Sequence, residues 1–450
     1  MKAYIKFFFT CARYIIPSRV LLYMVTTLFC ALSPFISFSQ GKEANIWYFG
    51  VHAGIDFNTG SPPSVLLNGQ TYLFTGPNAG SACISDANGN LLFYTDGVKI
   101  WNQNHVVMQN GDNLGYKTTQ GAMIVKDPGN QNYYYFFNYA WETASWQYFF
   151  QYSVIDMALD NGLGGVVPSL KNIRLGSHMS EHLSAVHHAN TEDVWVVAHG
   201  LGTSNYYSFL VTADSLHTQP VVSNAGGIFT SNSGYMKISP DGQLIGAGVQ
   251  IGTGGIFNLL SFNNATGVIS ENFYLSIPMS SFGVEFSPDN NKLYISGGIS
   301  HFIQLDLNAG SSQDILNSMF TIGTAMGALQ LGPDGKIYCA HSGYYLGVIN
   351  NPNEAGIACN YDPQGVFLGS GYCSVGLPSF IQSYLNDPEY ATTQHCAGQP
   401  TQFNIANTNG IDSVYWKFKD FSNMPNDTST LLSPRSEEHT SELQSPYVIS

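Results

Sequence analysis

The strongest constraint on the fold is a short hairpin motif that recurs along the chain. Residues 283–298 read GVEFSPDNNKLYISGG, which is an apolar run, a Ser-Pro-Asp-Asn turn and a second apolar run. Related segments begin at Gly80, Gly234 and Gly327 (GSACISDANGNLLFYTDG, GYMKISPDGQLIGAG and GALQLGPDGKIYCA). Pro and Asp early in such a turn, with Gly or Asn later, suit a tight turn in which one residue adopts a positive φ. A hairpin repeated in this way predicts a repeat fold.

The spacing of the motif indicates how many units the chain holds. The first strand of the hairpin begins at seven positions that lie 41 to 62 residues apart: Gly80, Gly121, Leu183, Gly234, Gly283, Gly327 and Gly376. Intervals of this size match one four-stranded propeller blade. Aromatic residues at 14%, charged residues at 10% and 46 glycines favour a turn-rich, all-β chain. We therefore predict an all-β fold, a seven-bladed β-propeller, with six or eight blades as alternatives.

The two ends of the repeat region are complementary. Residues 46–51 and 54–60 look like the second and third strands of a blade that lacks a first strand. Residues 376–384 look like a first strand with nothing after it. Joining them would complete the seventh blade and close the ring, and closure removes open sheet edges. We expect the propeller to span residues 45–385.

Both termini are expected to lie outside this fold. Basic residues precede an apolar run at 20–38, and Ser37 and Ser39 provide the small residues of a cleavage site, so residues 1–39 are predicted to be a signal peptide. A retained membrane anchor is the alternative, which Pro34 within the run disfavours. We expect export and no stable membrane insertion after cleavage. Residues 435–450 begin RSEEHTSELQS, whose coding sequence resembles a sequencing adapter, and they are treated as an artefact.

The charge of the remaining chain limits its partners. Residues 40–434 contain 27 acidic and 11 basic residues. A surface of this sign repels nucleic acid and anionic lipid, so neither is an expected partner. It is compatible with a secreted, soluble protein or with weak cation binding.

A composition change marks a second domain. Residues 386–393 (NDPEYATT) form a short polar linker. Alternating apolar residues at 402–405 and 413–418 then predict two strands of a small immunoglobulin-like β-sandwich over 394–434. This sandwich is expected to be partial.

Four motifs of the chain carry a resemblance to a known family: WYFG at 47–50, AGIDFNTG at 53–60, ISDANGNLLFYTDG at 84–97 and GLPSFIQSY at 376–384. By these motifs the chain is similar to a family of large exported proteins from gliding and related Bacteroidota bacteria. The resemblance implies that the second domain is PKD-like and that the type IX secretion machinery is a partner. The family's W-x-F-G-D-G motif is here WKFKDF at 416–421, which has neither glycine.

Cysteine and histidine supply candidate structural and metal sites. An exported context permits disulfides, and Cys359 and Cys373 bracket a short loop that could close. The candidate metal ligands form a histidine-rich group in which Glu181 also lies: His182, His187, His188 and His199. On one strand, however, His187 would point away from its neighbours, whereas a metal needs ligands that converge. The alternative is a structural role at the end of a blade strand.

Acidic residues recur at one position of the repeat turn: Asp86, Asp127, Asp241, Asp289 and Asp334. Recurrence at a structural position predicts capping of the turn by the carboxylate. Calcium bound at these turns is the alternative, although no EF-hand loop supports it.

Aromatic residues supply a candidate ligand platform. Trp141, Trp146 and Tyr148 lie in the long insertion that follows the second hairpin start. Aromatic faces exposed on the ring could hold a glycan or a peptide, whereas packing between blades is the alternative fate of these side chains.

The sequence predicts a binding protein more readily than an enzyme. It has no G-x-S-x-G elbow, phosphate loop or dinucleotide fingerprint. We expect a non-enzymatic exported protein, extracellular or on the outer cell surface, that binds a glycan or protein ligand in adhesion, without a cofactor. The family resemblance adds a link to gliding or surface attachment. A polysaccharide- or peptide-degrading propeller enzyme is the alternative.

Overall fold

The structure is a computed structural model of the 450-residue chain. It describes residues 42–73, 80–251, 254–277, 280–297 and 301–385, and five short strands beyond residue 389. The expectations for the signal peptide (1–39), the linker (386–393), the sandwich (394–434) and the adapter-like tail (435–450) fall outside the described residues, apart from those five strands.

Among the described residues, twenty-eight strands precede residue 386. In chain order they are β1 (Ile46–Phe49), β2 (Ala53–Asp56), β3 (Ser64–Leu66), β4 (Ser81–Ser85), β5 (Leu91–Thr95), β6 (Ile100–Asn102), β7 (Ala122–Lys126), β8 (Tyr133–Glu142), β9 (Gln147–Asp156), β10 (Gly165–Val166), β11 (Ile173–Ser177), β12 (Met179–His187), β13 (Val194–Gly200), β14 (Asn205–Val211), β15 (Val221–Asn224), β16 (Met236–Ile238), β17 (Leu244–Ile251), β18 (Gly254–Asn263), β19 (Val268–Ile277), β20 (Val284–Phe286), β21 (Lys292–Gly297), β22 (His301–Asp306), β23 (Phe320–Gly323), β24 (Leu329–Leu331), β25 (Ile337–Cys339), β26 (Tyr345–Ile349), β27 (Tyr361–Phe367) and β28 (Pro378–Ser379). A short helix, α1 (Ser312–Asn317), begins at Ser311 with a capping box completed by Asp314.

These strands form seven sheets, which confirms the prediction of an all-β, seven-bladed β-propeller. The blades are blade 1 (β4–β6), blade 2 (β7–β11), blade 3 (β12–β15), blade 4 (β16–β19), blade 5 (β20–β23), blade 6 (β24–β27) and blade 7 (β1–β3). Within each blade, consecutive strands are antiparallel neighbours, apart from β11, which pairs with β9 beside β10. The predicted hairpin starts fall within two residues of an inner strand in five of seven cases; Leu183 lies inside β12, and Gly376 precedes β28.

Each inner strand is buried on both of its faces, because a blade packs between two others. In β7, Ala122 and Ile124 belong to the apolar cluster shared with blade 1, whereas Met123 and Val125 belong to the cluster shared with blade 3. Alternate side chains of a strand point to opposite faces. The inner strands therefore read as continuous apolar runs, and the core is a series of layers between blades.

The ring closes in a different way from the one predicted. Residues 376–384 were expected to pair with β1 as the first strand of blade 7. Instead β28 pairs in parallel with β4, the inner strand of blade 1, and Ile381 forms a parallel bridge with Ala185 of blade 3. The inner strands are the hairpins' first strands and all enter the ring in the same direction, so a segment entering alongside them finds parallel partners. The two ends still meet, because Val51 and Tyr372 exchange backbone hydrogen bonds of 2.8 and 3.0 Å.

A glycine is required where those ends meet. Gly50 has φ 54°, and a Cβ there would lie 2.2 Å from the carbonyl oxygen of Tyr372. Only glycine combines this conformation with such a close backbone approach.

Polar side chains fill the centre of the ring. The Nζ of Lys237 (blade 4) lies 3.1 Å from a carboxylate oxygen of Glu285 (blade 5) and donates to Oε1 of Gln330 (blade 6). Gln120, just before blade 2, bonds to backbone groups of Leu183 and of blade 4. Since blades 2 and 4, like blades 4 and 6, are not adjacent, these contacts cross the axis and join the inner strands.

The five strands beyond residue 389 form two further sheets: β29 (Tyr390–Thr392), β30 (Thr401–Ile405) and β33 (Arg435–Ser436) in one, β31 (Trp416–Phe418) and β32 (Asp427–Ser429) in the other. Strands thus occur within both predicted alternating segments, and the PKD-like sandwich stays a prediction. Within the described ranges, no helix has the length and apolar character needed to cross a membrane.

Candidate functional site

The predicted ligand platform lies at the end of the longest hairpin in blade 2. Strands β8 and β9 have ten residues each and pair in register from Tyr133–Asp156 to Glu142–Gln147. Blade 1 has strands of five residues or fewer, so this hairpin extends further. The turn that joins the two strands includes Trp146, which adopts φ 52°.

The structure brings the three predicted residues together. Trp141 and Tyr148 form a cross-strand pair with ring centroids 4.8 Å apart, and Trp146 lies edge-on to Trp141 at 6.0 Å. A fourth ring, Tyr116, lies 6.1 Å from Tyr148. We call Tyr116, Trp141, Trp146 and Tyr148 the aromatic patch. Trp146 is 74% exposed and Tyr116 is 44% exposed, so the patch presents aromatic surface to solvent.

A buried carboxylate lies behind the aromatic patch. Glu181, in the inner strand of blade 3, is 4% exposed and accepts a 2.6 Å hydrogen bond from the backbone N–H of Thr119. It is also hydrogen-bonded to the hydroxyl of Tyr148. Burial raises the pKa of Glu181 above its ordinary value, because the charged form has lost its water. Burial likewise raises the pKa of Tyr148, with the charge of Glu181 as a second cause.

Two basic side chains close to the patch, Arg174 of the same sheet and Lys117 next to Tyr116 in sequence, are engaged in ion pairs. Arg174 pairs with Glu142 at 2.8 Å and stacks on Phe149, with 3.7 Å between the guanidinium carbon and the ring centroid. Phe149 is the neighbour of Tyr148 in β9, so its side chain points to the other face of the hairpin. Lys117 forms an ion pair with Asp96 at 3.3 Å.

The four candidate metal ligands do not converge, which corrects the metal hypothesis. His182 and His199 are buried between blades 3 and 4, with ring centroids 6.3 Å apart. His187 instead bonds Ser383 of the closing segment at 2.6 Å, and His188 contacts the carbonyl of Ala265 at 3.1 Å. Among the described residues, no group of three or more His, Cys, Asp or Glu side chains could hold a metal ion.

The two buried histidines are held as neutral rings. His182 lies between the hydroxyl of Ser180 and the carbonyl of Gly248, at 3.0 and 2.7 Å. His199 stacks on Phe229 at 4.1 Å and meets Tyr206 edge-on at 4.4 Å. Burial lowers the pKa of His182 to about 4 and that of His199 to about 3. These rings are part of the interface between blades.

The predicted disulfide between Cys359 and Cys373 is absent. Both residues are free, buried thiols, as are Cys83 and Cys339. The reason is their location, since Cys359 packs with Tyr294 and Cys339 while Cys373 belongs to the separate cluster around Trp47. The two residues are close along the chain, but their thiols do not form a bond.

The recurrent acidic residues cap their turns. Asp86 accepts backbone hydrogen bonds from Asn88 and Asn90 at 2.9 and 2.8 Å, and Asp127 accepts one from Gly129 at 2.8 Å. Asp289 accepts from Asn291 in the same way. Each carboxylate thus satisfies the donors of its own turn, which is the predicted structural role.

A concave feature lies between blades 7 and 1. This cleft of about 570 Å³ is lined mainly by polar residues, among them Asp56, Asn58, Asn90 and Gln103. Asn58 and Asn90 already donate hydrogen bonds to protein groups. The aromatic patch is the more distinctive surface of the two.

Sequence reasoning missed Tyr116 and placed Glu181 only among the acids near the histidines. Tyr116 precedes blade 2 and Glu181 belongs to blade 3, so both reach the patch through the packing of separate segments. No motif connects them to Trp146 along the chain.

No protein family and no curated protein matches the sequence. Solved structures with a similar fold include a quinoprotein alcohol dehydrogenase-like protein from Bacteroides thetaiotaomicron, 14% identical over 75% of this chain and 77% of that one, with a TM-score of 0.39. The Cps50 (Swd1) β-propeller domain of Myceliophteria thermophila is 12% identical over 67% and 91% of the two chains, with a TM-score of 0.40. Hydrazine synthase of Kuenenia stuttgartiensis is 12% identical over 71% and 91%, with a TM-score of 0.37.

The arrangement of the strands defines the class of protein as a seven-bladed β-propeller. At these identities the similarity concerns the fold, and functions differ widely among proteins that share a fold.

Proposed function

We propose that this chain is an exported, non-enzymatic binding protein that holds a glycan at the aromatic patch. The observation that carries the proposal is the geometry of Trp146, which is 74% exposed yet fixed by contact with Trp141. Aromatic rings held in place offer large contact area at a small cost in conformational entropy. The flat faces of sugar rings suit such a surface.

The alternative enzyme hypothesis relied on histidines that converge in one pocket. His187 and His188 lie apart from His182 and His199, and the latter two are enclosed between blades. This group of side chains therefore gives the enzyme hypothesis no support. The central ion pair of Lys237 and Glu285 is likewise buried, with 2% and 0% side-chain exposure.

The proposal includes location and export route. By the family resemblance and the predicted signal peptide, the protein reaches the outer surface or the medium through the type IX secretion machinery and acts in gliding or surface attachment. In the bacterium that encodes the chain, loss of that machinery should abolish its display on the cell surface. Unchanged display in such a strain would refute the route.

The binding proposal is tested by retention on insoluble cellulose, xylan, chitin and cross-linked chitosan. The full chain should be retained by at least one polymer, and Trp146→Ala should reduce retention at least about fivefold. Tyr344→Ala removes an aromatic residue that is 52% exposed on blade 6 and provides the matched control. Equal retention of the two variants, or no retention of the wild-type chain, would refute a glycan site at the aromatic patch.

A further inference from the structure

We propose that the glycan held at the aromatic patch contains amino sugars with free, positively charged amino groups. This inference rests on the proposed function and adds the charge of the ligand. It is carried by the position of the Glu181 carboxylate against the rings of the patch.

Aromatic rings attract cations through the negative potential of their faces. Trp141 and Tyr148 meet at 56° and Tyr116 and Tyr148 at 57°, so the rings present faces in several directions and are not stacked flat. Trp146 stands at 88° to Trp141. An ammonium group that enters among these rings would lie over the face of one of them.

The ionised form of the Glu181 carboxylate places a negative charge behind these rings. Its hydrogen bond with Tyr148 gives that ring more negative character, and burial weakens the screening of its charge by water. In the part of the chain that the structure describes, five ion pairs form and Glu181 is in none of them. The patch therefore combines aromatic faces with a buried anion that lacks a protein cation.

The basic side chains around the patch are paired with acids, so they leave its negative charge in place. Arg174 is neutralised by Glu142 and lies on the opposite face of the hairpin from Tyr148. Lys117, next to Tyr116 in sequence, is neutralised by Asp96. The whole chain carries a net charge of −14, which raises the local concentration of cations over that of anions.

The raised pKa of Glu181 is consistent with this arrangement. An anion buried without a counterion is destabilised, and a bound ammonium group would remove part of that destabilisation. The neutral N-acetyl form of the same sugar would occupy the aromatic surface without this gain.

The test compares two oligosaccharides of the same length by isothermal titration calorimetry at pH 6 and low salt. These are a hexamer of glucosamine, whose amino groups are protonated, and a hexamer of N-acetylglucosamine. The wild-type chain should bind the glucosamine hexamer about tenfold more tightly, as cation–π and charge attraction together allow. Added salt should reduce this preference, because ions screen a partly exposed charge pair.

The Glu181→Gln variant isolates the charge. The carbonyl oxygen of glutamine can still accept from the N–H of Thr119, and its NH2 group can donate to the hydroxyl oxygen of Tyr148, so the position keeps both partners. It should lower affinity for the glucosamine hexamer about three- to tenfold and leave affinity for the N-acetylated hexamer unchanged. If this variant does not fold, Trp146→Ala, at an exposed position, should weaken the binding of both oligomers at least about fivefold and remove the preference for the glucosamine hexamer.

The outcomes separate this inference from the proposed function. Equal binding of both hexamers through Trp146 would overturn the inference and leave the glycan site in place. Binding of neither hexamer or polymer at the patch would overturn both. A lysine hexamer that binds at the patch as tightly as the glucosamine hexamer would overturn the assignment to amino sugars, because the cation could then come from a protein.

Discussion

Acid should destabilise the propeller through the histidines buried between blades 3 and 4. In the unfolded chain a histidine has a pKa of about 6.5, whereas in the folded protein burial lowers the pKa of His199 to about 3. Between these two values the unfolded chain binds a proton at His199 and the folded chain does not. The contribution of the neutral His199 ring to the free energy of unfolding is therefore present above about pH 6.5 and is lost as the pH falls toward 3.

The magnitude follows from the difference between the two pKa values. Each pH unit in this window costs about 1.4 kcal/mol for each buried histidine. From pH 6.5 to 4.5 the loss through His199 is about 2 kcal/mol, since titration of the unfolded chain is already half complete at pH 6.5. The carboxylates of the protein titrate in the same range, so the contribution of one histidine needs a variant that removes it alone.

His199→Phe is that variant. Phenylalanine keeps an aromatic ring against Phe229 and Tyr206 but cannot bind a proton. Free energies of unfolding from urea titrations at pH 6.5 and 4.5 give the acid-induced loss for each protein. The loss should be about 2 kcal/mol smaller in His199→Phe than in the wild-type chain. His217→Asn, at an exposed position, is the control and should match the wild-type loss.

Equal acid-induced losses in the free energy of unfolding for the wild-type chain and His199→Phe would refute this prediction. That result would mean that His199 reaches water or gains a proton in the folded protein, so that its ring is not held neutral between the blades.

Three further predictions concern the core and the thiols. Trp47→Ala should lower the free energy of unfolding by about 3–5 kcal/mol in urea titrations, because this fully buried side chain packs against three other aromatic side chains where the propeller closes. Lys237→Met should lower the free energy of unfolding by about 3–5 kcal/mol, because it leaves the carboxylate of Glu285 buried without a cation. Adding Glu285→Leu should recover most of that loss. A double variant as unstable as the single one would refute this account. Alkylation of the unfolded, unreduced protein followed by mass spectrometry should label both Cys359 and Cys373. A mass two hydrogens lower, with neither residue labelled, would show that the two form a disulfide.

The repeat could be predicted because its signals are local. A Pro-Asp or Asp-Asn turn between two apolar runs requires only neighbouring residues, and the turn of Asp289 forms as its sequence indicates. The same local logic explains the capping by Asp86 and Asp127. Counting these hairpins led to the prediction of seven blades, although the seventh start, Gly376, leads into β28, which belongs to the sheet of blade 1.

Contacts between distant segments could not be predicted in this way. Cys359 and Cys373 are 14 residues apart yet belong to different apolar clusters, and His187 and His182 share a strand but face different neighbours. The aromatic patch was predicted in part, because Trp141, Trp146 and Tyr148 lie in one hairpin.

The sequence by itself determined the fold class, the number of blades and the turns, since these depend on alternation and turn chemistry within about fifteen residues. Only the tertiary structure decided how the ring closes, because β28 could pair with β1 or with β4, and the packing of whole blades selects β4. The tertiary structure likewise decided that Glu181 lies behind Tyr148, since the two residues come from different blades. Local chemistry fixes a repeating unit, whereas the contacts that give one surface its particular character arise only when separate units pack together.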